Sequence, residues 1–276
     1  MGGDFLTQMA ASSRARAEAA RRACSEERML ERARAAPPAA AFDASSGPFR
    51  LIAELKLRSP AVGALGSSAT DVAARVRAYA EAGAAAVSVL TEPQRFDGDL
   101  AHLRCAAEAL APFGVPAMRK DFLVDPYQIA EARAAGAGGV LLILRMLSDE
   151  RLEAMIARTR ELGLFALLET FDAPDIERLR ALTARVGSTG LLAGLNSRDL
   201  STLEVVPSRL EALAPLLPET LPRVAESGVS SPEDAHRMGR AGYDLALVGS
   251  ALMRTPDPAA LVAAMTAAGR AGQAER

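Results

Sequence analysis

The chain is poor in the residues that build the commonest metal and redox sites. It has two cysteines, Cys24 and Cys105, and two histidines, His102 and His236. The cysteines are far apart and in no metal-ligand spacing, which argues against a disulfide framework, a zinc ribbon or a redox pair and fits a reducing compartment. The histidines fall in stretches of helical character and read as helix residues, not as a metal pair. An excess of charge of one sign is lacking too: 32 basic residues face 34 acidic ones, for a net charge of −2. Without an overall field to hold nucleic acid or an anionic membrane surface, any anion must be bound locally. No run of 18 apolar residues occurs, so no membrane span is expected. The start, Met-Gly-Gly-Asp-Phe-Leu, has Leu6 where a myristoylation motif carries Ser or Thr, and it lacks the apolar core of a secretory signal. The expectation is a cytoplasmic protein with no nucleic-acid, membrane or obligate protein partner.

What is present is enough apolar residue, half of 276 positions, to bury one large core. From about Phe5 to Arg34, Phe5, Met9, Met29 and Leu30 are spaced among charges as in an amphipathic helix, and the stretch from Pro37 to Pro48 breaks it. Residues 1–48 therefore read as a helical extension and linker, and 49–276 as the main fold. There a unit of short apolar run, loop and longer amphipathic segment occurs eight times. The runs are Phe49–Leu55, Ala85–Leu90, Val115–Met118, Gly139–Leu144, Phe165–Leu168, Leu191–Leu195, Pro222–Ala225 and Leu245–Val248. Most are continuous, as in parallel strands covered on both faces. Gly83, Gly136, Gly163 and Gly242 stand where helices should end, and Ser148 and Ser231-Pro232 where they should begin. Such a series forms either an open doubly wound sheet or a closed barrel, and the count of eight favours a (β/α)8 TIM barrel. No Gly-x-Gly-x-x-Gly follows the first run, which removes the usual sign of a dinucleotide-binding half.

Barrel enzymes carry their reacting groups at the carboxyl ends of the strands. Here Glu54 and Lys56 close the first run, Lys120 the third, Glu169 the fifth, Asn196 and Arg198 the sixth, and Glu226 and Ser227 the seventh. All would face one mouth. The alternative for such a set is ion pairs that tie strand ends together, and for Arg119, Asp121 and Asp199 a structural or loop-capping role is as good a reading as a functional one. Gly228 after the seventh run and Gly249-Ser250 after the eighth lie where barrels often cradle phosphate with backbone amides, with Lys56 and Ser59 able to complete the site. The alternative is a pair of ordinary turns.

These segments resemble indole-3-glycerol-phosphate synthases from about residue 49 to 253. The likeness is carried by Ala53-Glu54-Leu55-Lys56 with Ser59-Pro60, Leu90-Thr91-Glu92 with Phe96 and Gly98, Arg119-Lys120-Asp121-Phe122 and Leu168-Glu169. It continues in Asn196-Ser197-Arg198-Asp199-Leu200, Ala225-Glu226-Ser227-Gly228 and Val248-Gly249-Ser250. The resemblance implies cofactor- and metal-free ring closure of 1-(2-carboxyphenylamino)-1-deoxyribulose 5-phosphate, with loss of carbon dioxide and water, in tryptophan synthesis. It implies Lys120 as general acid and Glu169 as general base, with Glu54 and Lys56 assisting charge handling and dehydration. Asn196, Arg198, Glu226 and Ser227 would be polar substrate contacts. Ser59, Gly228, Gly249 and Ser250 would hold the phosphate, and Pro60, Phe96, Phe122, Leu200 and Leu203 the aromatic ring. A ring-closing attack on a ketone needs a proton for the developing alkoxide, and a lysine among other cations, its pKa lowered, would supply one.

The sequence departs from the family at Ala61, where a second Ser is usual, at Phe171, where a His often stands, and at Gly138, where an Asp is common. With Arg95 beside Phe96, a substituted anthranilate derivative in a specialised pathway is an alternative substrate. An Amadori-type isomerase would rely on a Cys and an Asp, but neither Cys24 nor Cys105 ends a run. A non-catalytic barrel that binds a phosphorylated metabolite would be expected to lose the acid or the base, and Lys120 and Glu169 are both present.

Overall fold

A computed structural model describes residues 2–43, 47–59, 63–66, 71–199, 202 and 204–276. Eight parallel strands close on themselves: β1 (Arg50–Leu55), β2 (Ala86–Leu90), β3 (Ala117–Lys120), β4 (Gly139–Ile143), β5 (Phe165–Thr170), β6 (Leu191–Asn196), β7 (Arg223–Glu226) and β8 (Leu245–Val248). Each pairs with its neighbours in sequence, and β1 pairs with both β2 and β8 to shut the ring. Every residue of β2, β4, β5, β7 and β8 is buried, which explains why the apolar runs do not alternate.

Alternation survives in where each side chain goes. Leu51, Ala53 and Leu55 of β1 pack outward against the helices, while Ile52 joins Met118, Leu141, Leu167, Leu192, Val224 and Leu245 inside the barrel. Helices start on Ser148 and Ser231 as expected, and also on Asp99, Asp125, Asp172 and Asp257, each side chain accepting a hydrogen bond from a first-turn amide. The four glycines expected at helix ends all have positive φ, between 70° and 92°.

The extension is not one helix. It divides into α1 (Gly2–Ala23) and α2 (Glu26–Ala35) because Ser25 takes a non-helical conformation and its hydroxyl caps α2 on the Arg28 amide, ahead of Glu26 and Glu27. α1 lies at the carboxyl ends of the strands, where Phe5 meets the Phe122 ring edge-on at 5.8 Å. α2 runs down the flank against the helix Pro126–Ala134. The chain then reaches the opposite end, where Phe42 stacks on Phe165 at 4.5 Å and the Ala40 carbonyl approaches Gly138. Mouth and closed end are thus both covered by the extension. Gly138 sits at that closed end, remote from the polar strand ends.

Candidate active site

The inward positions nearest the carboxyl ends of the four odd-numbered strands are Glu54, Lys120, Glu169 and Glu226. Barrel cores stack in layers drawn from alternate strands, and here the uppermost layer is ionisable. Its carboxylates are 1–3% exposed. Burying unpaired charge is costly, so the pairing matters. Lys120 Nζ lies 3.1 Å from Glu226 Oε2 and 3.6 Å from Glu169 Oε1. Lys56 Nζ lies 2.8 Å from Glu54 Oε1. Asn196 Nδ2 donates to Glu169 Oε1 at 2.7 Å, and its Oδ1 accepts from the Arg198 amide at 2.9 Å. Each pair two residues apart does point to one side.

Burial disfavours the Lys120 ammonium, but the surrounding Glu226, Glu169 and Glu54 outweigh it and raise the lysine well above its ordinary value. The sequence-based expectation of a lysine depressed by cations is therefore reversed, because it meets three carboxylates. Burial, reinforced by the charge of Glu169 and opposed by Lys120, pushes Glu226 up to about 8. Burial would raise Glu54 as well, but Lys56 and Lys120 hold it below the usual carboxylate range. Lys56, Lys120 and Arg198 all reach the cavity that these carboxylates line. The three cations give an anionic ligand partners at close range.

These groups line a cavity of about 880 Å³, within the range of small-molecule sites. One wall holds Ser227, Gly228, Gly249, Ser250 and, from the loop after β1, Ser59. Ser227 has a φ of 63° and Gly228 of 76°, two successive left-handed residues that turn the backbone sharply. A short helix, Ser250–Arg254, follows Gly249, and Lys56 Nζ comes within 3.0 Å of the position a Cβ on Gly249 would take. The opposite wall is apolar: Phe96 and Phe122, 6.1 Å apart, lie with Phe5 and Phe171.

All candidate residues among those described line this one cavity. Pro60, Leu200 and Leu203 lie outside the described residues, as does Ala61. Sequence reasoning missed Leu90, Leu141, Ile143, Leu247 and Val205 on the wall. Four of these are strand residues at inward register positions, so period-two counting from Glu54 and Glu169 along paired strands would have found them. Arg119 points outward to Thr91, Glu131 and the Gln128 carbonyl, a structural role. Asp121 accepts from Arg16 through both oxygens and from Thr91 Oγ1, Arg119 and the Phe122 amide. Asp199 accepts from the Thr202 amide, the loop-capping role. His102 and His236 sit on separate helices.

A closed parallel barrel whose strand ends carry buried ionisable groups between a glycine- and serine-lined wall and an aromatic one defines a TIM-barrel protein. The chain belongs to the indole-3-glycerol phosphate synthase family, whose model matches residues 6–265. It is 44% identical over 230 residues to an indole-3-glycerol phosphate synthase of Kineococcus radiotolerans, covering 82% of this chain and 79% of that one. It is 42% identical over 254 residues to that of Mycobacterium leprae, covering 91% and 90%. Among solved structures, 3-hexulose-6-phosphate synthase from Salmonella typhimurium superposes with a TM-score of 0.62 at 14% identity, over 80% of this chain and 98% of that one. That likeness shows the fold alone.

Proposed function

We propose that this protein is an indole-3-glycerol-phosphate synthase, a carboxy-lyase that closes the indole ring of 1-(2-carboxyphenylamino)-1-deoxyribulose 5-phosphate without a cofactor, in the cytoplasm. The observation that carries the reading is the Lys120 ammonium, held 3.1 and 3.6 Å from two buried carboxylates on the wall of a half-apolar cavity. Buried charges destabilise a core, and a barrel that only binds phosphate has no use for them.

In this reading the phosphate rests on the amides of Gly228, Gly249 and Ser250 with Ser59 and Lys56, and the aromatic ring lies against Phe96 and Phe122. The ring carbon attacks the ketone, and Lys120 protonates the alkoxide as it forms. Positive charge develops on the nitrogen-bearing ring, where Glu169, oriented by Asn196, stabilises it. Loss of carbon dioxide leaves the electron pair that restores the ring. Lys56, paired with Glu54, then protonates the departing hydroxyl, and Glu169 takes the proton whose loss completes the indole.

Purified protein incubated with the carboxyphenylamino substrate should generate indole fluorescence at the same rate with and without chelator. Absence of product from folded protein would overturn the assignment, and loss of rate with chelator would overturn its cofactor independence.

A further inference from the structure

Three glycines of this barrel stand where a side chain from the next strand leans in. A Cβ at Gly139 of β4 would fall on the Phe165 ring of β5, one at Gly194 of β6 on the Glu226 carboxylate of β7, and one at Gly249 after β8 on the Glu54 carboxylate of β1. The first notch seats a core ring at the closed end, and the other two seat carboxylates of the ionisable layer. Gly249 also contributes backbone to the phosphate wall. Gly194 does not, and its φ lies outside the left-handed region, so backbone conformation does not demand glycine there.

Space is the remaining reason. The Gly194 backbone is fixed on every side: it pairs with Glu169 of β5 and Val224 of β7, and its carbonyl accepts from Thr170 Oγ1 at 2.6 Å. The buried Leu167 Cδ1 closes the notch at 3.0 Å from the Cβ position. An added methyl therefore cannot be absorbed by retreat of the strand. Glu226 Oε2 is bonded by Lys120, but the buried Oε1 has no hydrogen-bond partner. The notch over Gly194 receives that oxygen.

We propose that Gly194 is a positioning residue: its missing side chain lets the Glu226 carboxylate lie back against β6, which keeps Oε2 on Lys120 and Nζ within reach of Glu169. The inference rests on the acid role read for Lys120 above. Forced off the notch, the carboxylate moves toward the cavity and draws the ammonium from its place, and a misplacement of about 1 Å can cost on the order of 10²-fold in rate.

A double-mutant cycle tests this, with kcat and KM measured on the carboxyphenylamino substrate. Gly194→Ala should lower kcat at least about 30-fold with KM changed less than about threefold, as expected for misplaced catalytic groups. In the Glu226→Asp background, whose shorter side chain clears the methyl, the same Gly194→Ala change should cost less than about threefold. Equal losses in both backgrounds would overturn the proposal. If Gly194→Ala fails to fold while the Gly194→Ala/Glu226→Asp protein folds, contact with Glu226 is still what glycine relieves; if neither folds, Gly194 serves packing against Leu167 and the proposal fails. A wild-type protein without turnover would overturn the functional reading instead. The positioning claim is then decided by carbon-13 titration of the Glu226 carboxyl, whose apparent pKa should fall in Gly194→Ala; an unchanged titration would refute it.

Discussion

Lys120 is the residue whose chemistry depends most on what folding brings to it. Its proton is held tightly by three carboxylates, so it releases that proton only to a strong base such as an alkoxide forming within reach. Lys120→Ala should therefore lower kcat by about 10²–10⁴-fold and leave KM nearly unchanged, because the lost interaction belongs to charge that develops in the transition state. A loss below about tenfold would move the acid role to Lys56. Every member of this layer was legible in the sequence as a polar residue ending an apolar run. What was not legible was their mutual approach, since Lys120 and Glu226 are 106 positions apart. That distance in sequence is why the direction of the lysine's shift was misread.

Asp121, next in sequence to Lys120, has the opposite balance. Burial would raise its carboxyl, but hydrogen bonds from Arg16 and Thr91 and the charges of Arg119 and Arg16 hold it at about 2. A carboxyl depressed in the folded state contributes stability above its unfolded value of 3.8, and that contribution disappears as pH falls through about 2. By linkage it is worth about 2 kcal/mol at neutral pH. Denaturant titrations of wild type and Asp121→Asn should show a gap that narrows between pH 4 and pH 2.5. A gap of constant size would mean that the ionised form is not what stabilises.

At the scale of elements, the eight strands were readable because double-faced burial makes each a short run of apolar residues between polar loops. The break at Ser25 was not, since the helical spacing of Phe5, Met9, Met29 and Leu30 runs through it. Nor was the small antiparallel pair Arg58–Ser59 with Gly63–Ala64, too short to carry a period. α1 touches the site chemically as well as sterically. Phe5 and Leu6 line the cavity, Arg16 grips Asp121, Ser13 accepts from Gln128, and Arg21 bonds Asp125 at 2.7 Å. Those contacts fix the loop that follows Lys120. Removing residues 1–34 should raise KM, by opening the aromatic wall, and lower kcat, by loosening that loop and admitting water. Far-ultraviolet circular dichroism should still report a folded barrel. Unchanged kinetics in the truncated protein would refute the role of lid and brace together.

The molecule as a whole has almost no net charge, −2 at neutral pH, while its candidate site concentrates the cations Lys56, Lys120 and Arg198 on one cavity. Two different sources of anion recognition follow from that contrast, and salt separates them. A global field steers a charged substrate over distances longer than the Debye length, about 8 Å at physiological ionic strength, and is lost as salt rises. Amides and partly buried cations act at contact distance, where screening is weak. Raising potassium chloride from about 50 to about 300 mM should then change kcat/KM by less than about threefold. Sulfate or inorganic phosphate at matched ionic strength should instead raise KM and leave kcat untouched, because each would compete for the phosphate site proposed near Gly228, Gly249 and Ser250. A steep fall with chloride would mean that long-range steering dominates. If sulfate were no more effective than chloride, the wall between β7 and β8 would not be the phosphate site, and an anion found only at the closed end by Phe42 would refute that placement directly.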